Sequence, residues 1–194
     1  MTLMDQTITS GNVVVEHEYS VQDLEALEDG AYEFMHGELI RKTMGLREGI
    51  ILGKLTTDIT VWNRSNGSTF HVIPESYIKC FPDDPRGLRK PDLMLVKRDR
   101  VPAEIITASL EIAPDLAIEI LSPTDNFRES ERKLDDYERA GVRMVWHVIA
   151  DRKRVRVFDF EKHSIYEFIG DQTIELPDLL PGLSVPVKSI FENV

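Results

Sequence analysis

Apolar residues in this chain follow two rhythms, a helical one in long stretches and a strand-like one in short runs, which together predict a mixed α/β fold. After a loose start through Gly11, Ser20 and Asp23 have the spacing of a capping box and open a short helix through Leu27, closed by Asp29-Gly30. The stretch from Tyr32 to Ile40 is apolar on either side of His36-Gly37, which predicts a hairpin. Ile50, Ile51, Leu55, Ile59 and Trp62 then recur at helical spacing, giving a helix from Leu46 to Asn63 that Asn66-Gly67 stops. Strands follow at Phe70 to Ile73, Ser76 to Phe81 and Asp92 to Val96, separated by Pro74 and the polar loop Pro82 to Lys90. Leu116 to Leu121 is almost wholly apolar and closed by Ser122-Pro123, the pattern of a strand buried on both faces. A helix from Glu129 to Ala140, ended by Gly141, and strands at Met144 to Ile149 and Val155 to Phe160 complete the expected core.

With 194 residues, 42% of them hydrophobic and 29% charged, the chain can bury one real core, so residues 1–194 are expected to form a single domain. Residues 1–19 read as a loose N-terminal extension and residues 176–194 as a C-terminal extension covering the core. Pro and Gly are scattered as turn punctuation, without a linker or repeat. No apolar stretch approaches the roughly 20 residues that span a bilayer, and Met1-Thr2-Leu3-Met4-Asp5 lacks the basic flank and apolar segment of a signal peptide. A cytoplasmic protein without a membrane partner is expected. Cys80 is the sole cysteine, which excludes an internal disulfide and a cysteine-built zinc or iron-sulfur centre.

A formal net charge of −11 argues against a nucleic-acid partner until its distribution is considered. Residues 1 to 40 carry nine acids and no Lys or Arg, so the rest of the chain is nearly balanced. Basic residues gather at Arg86, Arg89, Lys90, Lys97, Arg98 and Arg100, and again at Arg152, Lys153, Arg154 and Arg156. Each cluster alone reads more readily as a solvated loop or polar hairpin than as a phosphate track.

The sharpest chemical signal is Glu119, an acid inside the apolar run Leu116 to Leu121. An unpaired buried carboxylate costs several kcal/mol, so Glu119 must be protonated, paired with a cation or bound to a metal. With Asp92 upstream and Lys133 downstream, it forms a trio suited to metal-assisted phosphodiester hydrolysis. A hard cation such as Mg²⁺ takes one or two carboxylates plus waters and substrate oxygens, and polarises a phosphate that otherwise repels its nucleophile. Asp92 and Glu119 supply the acids, the backbone carbonyl of Ile120 is a plausible third oxygen, and Lys133 can orient water or stabilise charge on phosphate. Plainer alternatives stand beside each: Asp92 capping a turn, Glu119 neutralised by Arg143, and Lys133 in a surface pair with Glu129, which spacing alone favours. Histidines 36, 71, 147 and 163 lack the paired spacing of a zinc site, and His17 sits in the acidic N-terminal stretch. Neither a Gly-x-Ser-x-Gly elbow nor a Gly-rich phosphate loop is present.

The succession Pro91-Asp92, Pro114-Asp115-Leu116-Ala117-Ile118-Glu119-Ile120-Leu121-Ser122-Pro123, Lys133, Tyr137, Ala140-Gly141-Val142 and Val145-Trp146 resembles the Uma family of restriction endonucleases, within the PD-(D/E)XK nuclease superfamily. The resemblance runs from Ser20, through Gly37-Glu38, to Leu180-Pro181-Gly182-Leu183. It implies a restriction-endonuclease-like α/β (α+β) core, with a mixed central sheet flanked by helices, and DNA cleavage dependent on Mg²⁺ or Mn²⁺. By that resemblance Asp92 and Glu119 are metal-binding acids and Lys133 is the catalytic lysine, displaced onto the following helix because Leu121 occupies the usual lysine position. Glu48 stands where members often have histidine, and it and Glu38 are the candidates for a third acid, each equally readable as a surface charge. Cutting both strands of a duplex would favour a homodimer. The rival expectation is a nuclease fold that no longer cuts and serves as a nucleic-acid-binding or assembly module.

Overall fold

The computed structural model describes residues 18–28, 31–101, 108–123 and 125–194. The expected loose start, His17 and the Asp29-Gly30 stop lie outside them. Helix α1 (Val21–Glu25) opens with the anticipated capping box, Ser20 Oγ accepting from the Asp23 N–H at 3.2 Å and Asp23 Oδ2 from the Ser20 N–H at 2.8 Å. It leads into the hairpin β1 (Ala31–Met35) and β2 (Glu38–Lys42), turned by His36 and Gly37, both at positive φ. Helix α2 (Leu46–Ser65) follows, then β3 (Phe70–Pro74), β4 (Tyr77–Ile78), β5 (Leu93–Lys97) and β6 (Ser109–Leu110). The expected strand over 76–81 shrinks to β4, which pairs with β6 outside the main sheet. Strand β7 (Leu116–Leu121), helix α3 (Phe127–Ala140) and β8 (Met144–Ile149) form a parallel crossover unit, with Gly141 closing α3 in the left-handed conformation its lack of Cβ permits. Beyond β9 (Arg154–Asp159) come three strands the sequence pattern did not single out, β10 (Ser164–Ile169), β11 (Thr173–Leu176) and β12 (Leu180–Pro186), and then α4 (Val187–Phe191).

The main sheet has six strands in the order β10-β9-β8-β7-β5-β3, antiparallel throughout except between β7 and β8. Its two faces are buried by different partners. Leu93, Leu95, Ile118, Ile120, Trp146 and Val148 point to one side, where the α2 stripe Ile51, Leu55, Ile59 and Trp62 packs with β12 and α4. Strand β12 and helix α4, at the C-terminal end of the chain, complete this core. Met94, Ala117 and Val145 point to the other side, beneath Leu134 and Tyr137 of α3 and Met35 of the hairpin. Central strands sandwiched in this way must be apolar on both faces, which is why Leu116 to Leu121 reads as a continuous run. No helix among the described residues is long and apolar enough to cross a membrane.

Asn63 ties α2 to the sheet edge, donating from Nδ2 to the Phe70 carbonyl at 2.9 Å and accepting at Oδ1 from the Phe70 N–H at 3.0 Å. It satisfies both groups of β3 as a neighbouring strand would. Asn63→Ala leaves them buried and unpaired and should lower unfolding free energy by about 1–3 kcal/mol in urea titrations.

Candidate active site

Sheet register brings the two acids together. Leu93 pairs with Ile118 and Met94 with Ala117, so one step further along the same register sets Asp92 opposite Glu119. Both lie two residues beyond side chains under α3, and strand alternation sends them to that same face. Asp92 lies just before β5, where the Ile120 N–H bonds to its Oδ2 at 2.6 Å. In an extended strand the carbonyl leaves the same edge as the N–H, so the Ile120 carbonyl also faces the Asp92 side. Asp92 is therefore a cross-strand acid and not only a turn cap.

Helix α3 supplies the rest from above. Lys133 and Tyr137, one turn apart, both reach Glu119: Tyr137 donates to Oε1 at 2.5 Å and Lys133 Nζ lies 3.3 Å from Oε2. Spacing alone favoured Lys133 in a surface pair with Glu129, but the fold turns it inward, because its helix face borders the apolar stripe of Leu134 and Tyr137. Glu129 bonds Arg89 at 2.6 Å instead, and Arg143, the alternative partner for Glu119, pairs with Glu161.

Behind the acids runs a buried ionic chain to which the hairpin contributes. Glu33 of β1, 1% exposed, sits 3.1 Å from Lys133 and 2.9 Å from Arg89, whose guanidinium also grips Asp136 at 2.6 Å. His36 Nε2 lies 2.8 Å from the other Asp136 oxygen. Arg89, assigned from sequence to a basic loop cluster, is wholly buried. Of the other cluster members, Lys90 lies over the Tyr77 ring, Arg100 pairs with Asp115, and Arg154 and Arg156 pair with Glu167. On the Asp92 side, Lys42 at the end of β2 reaches Oδ1 at 2.6 Å.

Burial raises the Glu33 carboxyl, but Lys133, Arg89, Lys42 and the Lys90 N–H outweigh it and bring the pKa down to about 2. At Asp92 burial prevails instead, with Glu119 adding to it against the pull of Lys42, and raises it to about 6. Lys133 is held above its ordinary range, since Glu119 and Glu33 overcome its desolvation. It remains an ammonium, able to donate and to stabilise negative charge but not to accept a proton. His147, opposite Glu119 on β8, is pushed down to about 4, mainly by burial.

Asp92, Glu119, Lys133 and Lys42 line a cleft of about 420 Å³ whose walls also include Glu38, Met44, Asn126 and Arg132. Of the two candidate third acids, Glu38 lines the cleft but is exposed and paired with Arg132 at 2.9 Å. Glu48 is buried at the start of α2 with its carboxylate folded toward Gly45, and it does not line the cleft.

The family model Uma2, described as "Putative restriction endonuclease", matches residues 20–188. The chain belongs to the Uma2 family. A solved structure titled as a "putative nuclease belonging to DUF820", from Anabaena variabilis, is 22% identical, covers 89% of this chain and 97% of its own, and superposes with a TM-score of 0.75. That likeness establishes the fold, a mixed sheet flanked by helices. No curated protein matches the chain.

For this Uma2 member the donor chemistry fits a hard divalent cation: two carboxylates and a strand carbonyl, all oxygens. Among the described residues no three His, Cys, Asp or Glu side chains form a ready metal-binding group. Mg²⁺ does not require one, because waters and substrate oxygens complete its shell. Sequence reading missed Glu33, Lys42 and the central role of Arg89. Glu33 carried the signal that selected Glu119, an acid within the apolar run Tyr32 to Met35, whereas Lys42 carried none.

Because the folded pKa of Glu33 lies below the ordinary glutamate value of 4.5, its stabilising contribution is complete above 4.5 and is lost as pH falls toward about 2. Glu33→Gln should cost roughly 3 kcal/mol at pH 7, since it takes one buried counter-charge from both Arg89 and Lys133. The gap between wild type and variant, measured by denaturant unfolding, should close as pH drops through that window.

Proposed function

We propose that the protein is a metal-dependent DNA endonuclease that hydrolyses phosphodiester bonds, with Asp92, Glu119 and Lys133 as its working residues. The observation that supports this reading most is the cross-strand opposition of Asp92 and Glu119, with Lys133 3.3 Å from the Glu119 carboxylate at the floor of one cleft. Membership of a family described as restriction endonucleases supports DNA as the substrate. Asp92, Glu119 and the Ile120 carbonyl would hold Mg²⁺ or Mn²⁺. A cation so bound polarises the scissile phosphate and lowers the pKa of its water.

The remaining work falls to this chain's own side chains. Tyr137 fixes Glu119 by occupying Oε1, which leaves Oε2 turned to Lys133 and the cleft. Lys133, kept charged by Glu119 and Glu33, can hold the attacking water or a phosphate oxygen and stabilise the charge that grows there. A homodimer would supply the second centre needed to cut both strands of a duplex.

Purified protein incubated at low salt with plasmid or single-stranded DNA should cleave with Mg²⁺ or Mn²⁺ and stop in EDTA. Glu119→Gln should abolish cutting, and Lys133→Ala should slow it by about a hundredfold or more while leaving the protein folded. Undiminished cleavage by Glu119→Gln would remove this site from consideration. A folded protein that binds DNA but cuts no substrate would favour the non-cutting module.

A further inference from the structure

Asp92 has two carboxylate oxygens, and the backbone already uses one of them, Oδ2, through the Ile120 N–H. The other, Oδ1, is held by Lys42 at 2.6 Å. Lys42 is well placed to stay there: its side chain is 11% exposed, its ammonium also donates to the Lys90 carbonyl, and the Glu75 carboxylate lies 3.8 Å away. The hairpin that carries Lys42 is anchored from below, because Glu33 on its other strand is locked to Arg89 and Lys133. Glu119 has a cation of its own in Lys133, so Lys42 serves Asp92 alone among the two acids at hydrogen-bond distance.

A divalent cation bound at Asp92 would need Oδ1, at a bond length near 2.1 Å. An ammonium at hydrogen-bond distance from the same oxygen would then sit about 4 Å from it in a partly desolvated site, where like charges repel strongly. The two therefore compete for the atom. We propose that Lys42 is an internal competitor for the metal position: it neutralises Asp92 in the metal-free protein, weakens metal binding, and on release stays tethered beside the cleft by the Lys90 carbonyl and Glu75. This inference rests on the metal-dependent reading above. A purely structural ion pair predicts the opposite behaviour, since removing Lys42 would then loosen the site and bind metal no better.

Calorimetric titration of Mn²⁺ into the full chain, without DNA, separates the two. Lys42→Met should bind Mn²⁺ about tenfold more tightly than wild type or better, while Lys42→Arg should bind no more tightly than wild type. Mn²⁺ should also raise the melting temperature of Lys42→Met by more than that of wild type, because metal replaces the lost counter-charge. Lys42→Gln, which keeps a hydrogen-bond donor for Asp92 without the charge, serves the same comparison if Met leaves the domain unfolded. Equal or weaker Mn²⁺ binding by both neutral variants, with wild-type binding that Asp92→Asn abolishes, would overturn the competitor and leave the metal site standing. Absence of Asp92-dependent binding in wild type and in both neutral variants would overturn the two together.

Discussion

Removing an ion from water costs several kcal/mol unless partners replace its hydration, and beneath α3 this chain buries a whole series of them. Glu33, Arg89 and Asp136 are each almost fully enclosed, and Lys133 joins them to Glu119. None of these groups can be relaxed singly without stranding another. The β1-β2 hairpin, the segment leading into β5, and helix α3 are consequently locked to one another by charge as well as by apolar contact. Helix α3 in particular cannot turn on the sheet without drawing Lys133 and Tyr137 off Glu119.

The same network accounts for the site's electrostatics. An acidic chain with a formal net charge of −11 gathers Lys42, Lys133 and Arg89 among Glu33, Asp92 and Glu119, so each of these acids has a cation beside it, while Asp136 and Glu129 also draw on Arg89. The balance is uneven in detail. Glu33 sits among cations and is held low, whereas Asp92 is held high by burial, with Glu119 across the strands adding to it. Carboxylates driven apart in this way gather both at functional sites and in buried ion-pair networks.

Local pattern was enough to find the two long helices that flank the sheet and most of its strands. The stripe Ile51, Leu55, Ile59 and Trp62 belongs to α2, and the unbroken run Leu116 to Leu121 is the central β7. Strand β10 escaped because it is the sheet's edge: Ile165, Tyr166 and Ile169 are all substantially exposed, and neither face imposes a polar-apolar alternation. Glu119 stood out because a charge in an apolar run has to be explained, and Glu33 offered the same clue beside the hairpin turn.

What the linear chain settled is therefore whatever depends on neighbours a few residues apart: helical spacing, strand burial, capping at Ser20 and Gly141, and the demand of Glu119 for a partner. The identity of that partner lay outside its reach. Spacing paired Lys133 with Glu129, yet the fold gives Lys133 to Glu119 and Glu33, and Glu129 to Arg89. Lys42 reaches Asp92 across 50 residues of sequence, in a strand pattern without any mark of function. Periodicity follows from the geometry of one segment, whereas ion pairing in a desolvated interior is chosen by which charges packing brings within a few ångströms, and that is a property of the assembled sheet, hairpin and helix.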